Sequence, residues 1–472
     1  MVIEQIYTGC LAQGAYYIES EGESVIIDPL REVQPYLDKA EKQGSKIKYI
    51  LETHFHADFV SGHVELSKKT NAPIVFGPTA KPSFEAIIAT DGQVLEVGKV
   101  KIKVLHTPGH TMESSCFLLI DENGKDYALF SGDTLFIGDV GRPDLAQKSD
   151  LTIYDLAGYL FDSLRNKVMT LANDVLVYPA HGAGSACGKN MSKETFDTLG
   201  NQKMFNYALR ANMSREEFIK EVTDGLELVP PPYYFPQNVM MNKSGAKDLS
   251  LVLKDAQPLS VQAFEAAANE TGALIIDTRK ADIFKEGFIP NSINIGISGD
   301  FAPWVGTLVT DIKQPLLLVV EDDNLNEAIT RLSRVGYDNV IGYLEDGFQS
   351  WVEAGKEIDI IQSISAEDFA LKFKESEGKL MVKDVRKPTE YMAEHIEEAM
   401  NIPLANLSKN MVEFSKSEPN YIHCAGGYRS MIACSILKAR GFDNIVDVAG
   451  GFAQIAKTDI PKTDFVCQSK MK

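Results

Sequence analysis

The sequence predicts a multidomain chain of α/β and α+β class: a mixed N-terminal domain built largely from short strands, followed by two smaller α/β domains of one fold. Three observations carry this expectation. The 472 residues exceed what a single core holds and suit about three domains. Over residues 1–250, short apolar or alternating runs stop repeatedly at polar turns. From about residue 258 the pattern changes to apolar strands alternating with helical stretches, and that pattern occurs twice.

With 44% hydrophobic and 24% charged residues the composition is that of an ordinary globular chain. Acidic residues (66) outnumber basic ones (47), giving a net charge of -19 and a pI near 5.0. That field opposes binding to phosphate backbones or anionic membranes, so neither nucleic acid nor membrane is an expected partner. The start has no basic flank before an apolar run, and no stretch approaches the ~20 apolar residues of a membrane span. The expectation is a soluble cytoplasmic protein. Cysteines at 10, 116, 187, 424, 434 and 467 are too sparse and irregular for a disulfide framework or a four-thiolate zinc site. Cys10 and Cys116 read as strand-associated core, Cys434 as a packed helix residue and Cys467 as an incidental thiol.

In chain order, residues 25–27 read as a strand ending at Asp28-Pro29, 48–51 as one ending at Glu52-Thr53-His54, and 100–105 as one ending at His106. Residues 116–120, the turn 121–124 and residues 127–130 form a hairpin pattern. Residues 175–178 end at Pro179 and His181. Most histidines thus follow strand ends, where a rigid sheet can gather them around one cleft. Residues 201–225 are helical in pattern, with Ser214 and Glu217 spaced as a capping box. Prolines then force an extended stretch through Tyr233, Tyr234 and Phe235, read as a pinned surface loop, an active-site wall or a subunit contact.

The C-terminal half carries an imperfect repeat of about 105 residues. Ala273-Leu274-Ile275-Ile276-Asp277-Thr278-Arg279 recurs as Leu380-Met381-Val382-Lys383-Asp384-Val385-Arg386. Gly336-Tyr337-Asp338-Asn339-Val340 recurs as Gly441-Phe442-Asp443-Asn444-Ile445. Ser260 reads as the helix cap of copy one, and Ser365 with Asp368 as that of copy two. The expected domains are 1–250, 258–357 and 364–469, joined by short linkers.

The sharpest local signal is Thr53-His54-Phe55-His56-Ala57-Asp58-Phe59, followed by Thr107-Pro108-Gly109-His110, Gly132-Asp133-Thr134 and Ala180-His181-Gly182. Imidazoles and carboxylates scattered among loop ends suit a catalytic divalent metal. On these motifs, residues 1–250 resemble the metallo-β-lactamase superfamily, and within it the persulfide dioxygenases more than the β-lactamases. The resemblance implies an αβ/βα sandwich with the metal at the edge of its two sheets. It assigns His54, His110 and Asp133 to a mononuclear site holding one Fe(II) per chain, with zinc the alternative metal of the purified protein. His56, Asp58 and His181 match positions that hold a second metal in dinuclear hydrolase relatives, where histidine follows Asp58. Here Phe59 has no lone pair to offer, which favours one metal, although His63 lies close by in sequence. Two histidines and one carboxylate suit non-haem Fe(II) chemistry.

Around this set, Asp28 reads as an organiser of the ligand loops and His106 as a packed or supporting residue. Residues 138–145 also resemble the persulfide dioxygenase pattern, Arg142 with Asp144 reading as a loop salt bridge or as stabilising the metal-binding loop or substrate entrance, with support for the loop the favoured role. After His181, Lys189 is a candidate for meeting an anionic thiol carrier. Cys187 reads as an inert buried thiol or as one that guides or receives sulfur.

The second specific signal is Tyr421-Ile422-His423-Cys424-Ala425-Gly426-Gly427-Tyr428-Arg429-Ser430 before a helical run. A cysteine placed after a strand and before glycines and a helix start can have its thiolate held by converging N–H groups. With Asp384-Val385-Arg386 and the 441–445 motif, residues 364–469 resemble the rhodanese family. This implies that Cys424 carries sulfur as a persulfide and that Arg429 supports the loop or attracts an anionic sulfur substrate. In copy one, counting from the apolar strand places Glu321 opposite Cys424. A carboxylate cannot carry sulfane sulfur, so copy one is expected to be a non-catalytic spacer or docking surface.

The chain as a whole resembles bacterial dioxygenase–rhodanese fusions. That implies oxidation of a low-molecular-weight thiol persulfide by oxygen to sulfite and thiol, coupled to sulfur transfer among persulfide, sulfite and thiosulfate, with a second copy in a homo-oligomer as the candidate protein partner. The competing readings are a glyoxalase II-like metal-dependent thioester hydrolase and a persulfide-sensing sulfur-binding protein.

Overall fold

The computed structural model describes residues 1–144, 151–189, 191–226 and 231–466. Cys467, Leu145 and residues 227–230 of the proline-rich stretch lie outside the described residues. The chain divides into two units. The first is Met1–Leu251 with Val309–Ile312 and Thr330–Tyr337; the second comprises Val252–Leu308, Lys313–Ile329 and the chain from Asp338 onward.

The first unit holds two six-stranded sheets. One runs in sequence order through β1 (Val2–Thr8), β2 (Gln13–Ser20), β3 (Glu23–Ile27), β4 (Lys46–Glu52), β5 (Ile74–Phe76) and β6 (Ile87–Ile88). The other contains β7 (Val94–Val97), β8 (Val100–His106), β9 (Ser115–Ile120), β10 (Asp126–Gly132), β11 (Leu176–Pro179) and β12 (Asp197–Thr198), in reverse order. Alternating residues of both sheets share one core: Tyr16, Ile18, Val25 and Ile27 meet Ile102, Val104, Phe117 and Phe130. On the outer faces, Tyr36 and Ala40 of helix Gln34–Gln43 pack on the first sheet, and Leu156 and Leu160 of helix Ile153–Ser163 lie buried on the side of the second. This is the expected helix–sheet–sheet–helix sandwich. The 116–120/127–130 hairpin is β9–β10, paired antiparallel.

Two local expectations need correction. The single helix over 201–225 is broken into Leu199–Phe205, a short turn Tyr207–Leu209 and Arg215–Thr223, the last opened by the Ser214–Glu217 capping box. The break falls at Asn206, which is extended; its side-chain oxygen accepts from Ala208 N and its amide donates to Phe136 O and Asp139 O. A side chain that offers such bonds competes with helix continuation. The aromatic stretch after the prolines is not extended throughout either, since a helix runs from Phe235 to Ser244 with Pro236 in its first turn, where no N–H is needed.

The second unit holds two five-stranded parallel sheets of identical order. The first contains β13 (Gln257–Leu259), β14 (Leu274–Asp277), β15 (Ile293–Asn294), β16 (Leu316–Val319) and β17 (Val340–Leu344), ordered β13-β17-β16-β14-β15. The second contains β18 (Gln362–Ile364), β19 (Met381–Asp384), β20 (Met400–Asn401), β21 (Asn420–His423) and β22 (Ile445–Val448), ordered β18-β22-β21-β19-β20. Ser260 and Ser365 each accept a backbone N–H at the start of the first helix of their copy.

The repeat extends to single hydrogen bonds. Arg279 closes on Asp277 and on Gly287 O, and its guanidinium lies 4.0 Å from the Phe348 ring. Arg386 closes on Asp384 and on Glu394 O, 4.0 Å from the Phe452 ring. The same register corrects one alignment. Asp277 pairs with Val319 as Asp384 pairs with His423, so the residue opposite Cys424 is Val320, not Glu321. A valine has no group to carry sulfur.

Candidate functional site

The ligand candidates sit where strands end. His54 follows β4, His110 lies in the turn after β8, Asp133 follows β10 and His181 lies just beyond β11. All four are buried. His54 Nε2 and His110 Nε2 approach Asp133 Oδ2 at 3.8 and 3.4 Å. One donor atom from each of the three lies within 4.8 Å of the others.

Their outer hydrogen bonds fix which atoms point inward. His110 Nδ1 lies 2.8 Å from Arg142 O, a pure acceptor, so this nitrogen carries the proton and Nε2 keeps its lone pair. The Thr53 hydroxyl donates to Asp28 Oδ2 (2.8 Å) and therefore accepts from His54 Nδ1 (3.0 Å), which frees His54 Nε2 in the same way. Asp28 Oδ1 also accepts from Thr53 N at 2.8 Å. Asp133 Oδ1 accepts from His181 Nδ1 at 2.8 Å, while Oδ2 is buried without a hydrogen-bond partner. Burial pushes the His54 imidazole well below its ordinary range, which keeps it a neutral ligand. Burial alone would raise the Asp133 carboxyl, but the surrounding His181, His54 and His110 hold it far below the usual range. Two imidazole lone pairs and an orphaned carboxylate oxygen converging in a buried space are a donor set that fits a divalent first-row metal.

The remaining candidates divide. Asp58, His181 and Cys187 form an adjoining buried group with donor atoms within 4.8 Å of one another. His181 Nε2 lies 2.7 Å from Asp58 Oδ2, so His181 is held between two carboxylates. Burial pushes the Cys187 thiol well up, and Asp58 and Asp133 reinforce the effect. His56 turns elsewhere: its Nε2 lies 3.1 Å from Asp28 Oδ1 and 3.6 Å from Glu52 Oε2, and its ring lies 4.2 Å from that of buried Phe59. Asp28, Glu52 and His56 make a third group of donors within 4.8 Å of one another. His63 faces Glu52 Oε1 at 3.2 Å instead of joining the Asp133 group.

Arg142 contributes its carbonyl to His110, and its guanidinium forms a two-pronged pair with Asp144 at 2.6 and 2.7 Å. Lys189 is not brought to the site: its ammonium donates to Asp224 O and to Glu221 O (3.3 Å), satisfying carbonyls near the end of helix Arg215–Thr223. His106 Nε2 lies 2.9 Å from Met112 O, also apart from the triad. Cys10 is only half-buried, in a turn at Gly9–Leu11 and not in a strand, with Sγ 3.5 Å from Arg334 Nη1; Cys116 and Cys434 are fully buried. Sequence reasoning missed Glu52, although a carboxylate closing an apolar strand two residues before His54 was a readable signal. It also missed the Thr53 hydroxyl.

In the second unit, Cys424 follows β21 and precedes helix Tyr428–Lys438. Gly427, in the left-handed region at φ 102, aims its N–H at Cys424 Sγ, 3.1 Å away. A Cβ on Gly451 would stand 2.4 Å from Cys424 O, so glycine there permits the close approach that lets Phe452 N bond the same carbonyl at 2.7 Å. Arg429 is locked in a two-pronged pair with Glu390 at 2.6 and 2.8 Å. Ser430 donates to Asp447 Oδ1 at 2.7 Å. Burial pushes the Asp447 carboxyl up to about 6 against hydrogen bonds from Ser430 and Ser363. Glu390 and Asp447 were also missed; a carboxylate within the apolar strand 445–448 was the signal for the latter.

Residues 8–181 match the metallo-beta-lactamase superfamily, and residues 260–354 and 365–458 each match the rhodanese-like domain. A hydroxyacylglutathione hydrolase of Polaromonas sp. is 31% identical over 187 residues, 38% of this chain and 66% of that relative's length. The mitochondrial persulfide dioxygenase ETHE1 of Homo sapiens is 30% identical over 211 residues, 44% of this chain and 74% of that protein. The crystal structure of a metallo-beta-lactamase from Staphylococcus aureus subsp. aureus COL superimposes with a TM-score of 0.63 at 31% identity, covering 73% of this chain and 98% of that one. Together with the four-layer sandwich and the repeated parallel sheets, these matches make the chain a member of the metallo-β-lactamase superfamily that carries two rhodanese-like domains in tandem.

Proposed function

We propose that the chain is an iron-dependent persulfide dioxygenase joined to a sulfurtransferase, with domains at 1–250, 258–357 and 364–469. The observation that carries this reading is the convergence of two imidazole Nε2 atoms, freed by the outer hydrogen bonds of His54 and His110, on the unpartnered Oδ2 of Asp133. Phe59 stands where a dinuclear hydrolase would supply histidine, and His181 is taken up by Asp133 and Asp58. One Fe(II) held by the triad would supply the redox chemistry with oxygen that side chains lack.

The overall reaction is RSSH + O2 + H2O → RSH + H2SO3, the product ionising to sulfite. The protein's part is positional. Arg142 O and the Thr53–Asp28 pair fix the tautomers of His110 and His54, and the Arg142–Asp144 pair braces the loop that carries that carbonyl. At the second centre, a persulfide on Cys424 is attacked at its outer sulfur by sulfite: the new S–S bond gives thiosulfate, the Cys424 S–S bond breaks, and the thiol is restored. The Gly427 N–H supports the leaving thiolate and the Glu390-anchored Arg429 fixes the loop behind it. The thiol carrier is a low-molecular-weight persulfide.

The relatives also include a thioester hydrolase, so the test sets the two chemistries side by side. Protein reconstituted with Fe(II) or Zn(II) is assayed for persulfide-dependent oxygen uptake and for hydrolysis of S-lactoylglutathione. Oxygen uptake confined to the iron form is expected. Hydrolysis by a zinc form without oxygen uptake by the iron form would overturn the assignment, and persulfide binding without turnover in either would favour a sensor.

A further inference from the structure

The Cys424 loop is rich in glycine: a Cβ on Gly426 would meet nothing within 4 Å, Gly427 adopts a backbone conformation suited to glycine, and on the other side the Cys424 and Ala425 carbonyls accept from Phe452 N (2.7 Å) and Ala453 N (3.0 Å). Those bonds hold the carbonyls of the loop, while the freedom of Gly426 and Gly427 leaves the aim of the Gly427 N–H to the residues that follow the loop. It is followed at once by three residues that are each tied to a different place. Arg429 is tied to Glu390 and Ser430 to Asp447, both within copy two. Tyr428 is tied to copy one: its hydroxyl donates to Gly296 O at 2.8 Å.

The seat for this ring is built from glycines. A Cβ on Gly299 would lie 2.5 Å from two atoms of the Tyr428 ring and 3.0 Å from a third, and a Cβ on Gly296 would lie 3.4 Å from it. Gly299 is not in the left-handed region, so its lack of a side chain is explained by the ring and not by backbone strain. A second bond ties copy one to the same helix, Asn294 N donating to Ser435 Oγ at 3.0 Å. Ser435 is fully buried.

We infer that the non-catalytic first copy is a working part of the sulfur-transfer centre, with its 296–299 loop seating Tyr428 and thereby positioning the Gly427 N–H against Cys424. Tyr428 begins the helix and is adjacent to Gly427, so fixing its ring fixes the end of the loop that faces the sulfur. Tyr428 is a positioning residue in this scheme, and Gly299 acts through it. Copy one therefore does more than space or dock domains, which accounts for a carrier-less copy that keeps its glycine pair.

The inference rests on Cys424 as the sulfur carrier, and the experiment separates the two. In the full-length protein, Tyr428→Phe and Gly299→Ala are compared with wild type and Cys424→Ser for thiosulfate:sulfite sulfur exchange, for the pH profile of Cys424 alkylation by iodoacetamide above the Cys424→Ser background, and for thermal unfolding. We expect kcat for transfer to fall by about tenfold in both variants with KM little changed, as loss of loop positioning requires. The alkylation profile should move to higher pH, with persulfide-dependent oxygen uptake unchanged. Transfer at the wild-type rate with an unmoved profile in either variant overturns the inference, including where melting temperature alone falls. If Cys424→Ser itself transfers sulfur normally, the assignment of the carrier has failed instead.

Discussion

Asp133 and His181 share a hydrogen bond of 2.8 Å between Oδ1 and Nδ1, which leaves Asp133 Oδ2 as the only oxygen of that carboxylate facing His54 and His110. One oxygen is thus spent on orientation and the other is offered to a cation. Asp133→Asn should preserve much of the shape while removing the negative charge. We expect metal content after anaerobic purification to drop from about one equivalent to a small fraction of it, and oxygen uptake to drop with it. Metal analysis of both proteins checks this; a variant that retains a full equivalent would show that Asp133 is not a ligand.

Phe59 is buried against His56, with His181 nearby at a ring separation of 6.4 Å. If its ring is what keeps the neighbouring donors from completing a second site, Phe59→His should raise zinc stoichiometry from about one to about two, since Asp58 and His181 already stand together. Equilibrium dialysis against zinc decides it. An unchanged stoichiometry would mean that the Asp58–His181–Asp133 pairing, not the missing histidine, excludes the second ion.

How much of this was legible in the sequence depended on how local each cause is. His54, His110 and Asp133 each sit in a short motif beyond a strand, and Cys424 sits in a glycine loop between strand and helix, so chemistry and element coincide along the chain. His56 turns to Asp28 and Glu52, and His63 to Glu52, carboxylates at the ends of two neighbouring strands that only the folded sheet brings together. Lys189 was misplaced because a long side chain after a flexible turn can reach in many directions, and two helix-end carbonyls captured it. Counting residues put Glu321 opposite Cys424, whereas the hydrogen-bond register between β14 and β16 puts Val320 there. The Tyr428–Gly296 contact joins positions far apart in sequence, and no local pattern announces it.

Asp447 gives the second unit a pH-dependent stability of definite sign. Its carboxyl is pushed up to about 6 in the folded chain from an ordinary value of 3.8, so folding favours the protonated form. Its contribution is full below pH 4 and is lost as pH rises through about 6, an upper bound of about 3 kcal/mol by proton linkage. Asp447→Asn keeps an acceptor for Ser430 and removes the titration. The stability of the variant relative to wild type should therefore increase between pH 4.5 and 8, read from urea melts followed by hydrogen exchange at residues 445–448. A difference that is flat with pH, or that runs the other way, would show that Asp447 is ionised at little cost in the fold.

The two proposed chemistries make a joint prediction, because sulfite released by one is an acceptor for the other. Fed a low-molecular-weight persulfide and no sulfite, the wild-type protein should form thiosulfate only when oxygen is present. Cys424→Ser should still consume oxygen but accumulate sulfite, since a hydroxyl cannot carry sulfane sulfur. Asp133→Ala should form neither oxygen-dependent product. Mixing the two variants tests whether the centres must share a chain: sulfite from the Cys424→Ser protein can diffuse to the intact Cys424 of the Asp133→Ala protein, and thiosulfate should reappear at least in part. Sulfite also reacts with persulfides unaided, so each rate is taken above an enzyme-free control, with products separated by chromatography. If Cys424→Ser makes thiosulfate at the wild-type rate above that control, sulfur transfer does not pass through Cys424 and the coupling is wrong. If the mixture stays silent while both single variants behave as stated, sulfite is passed within one chain and does not equilibrate with solution.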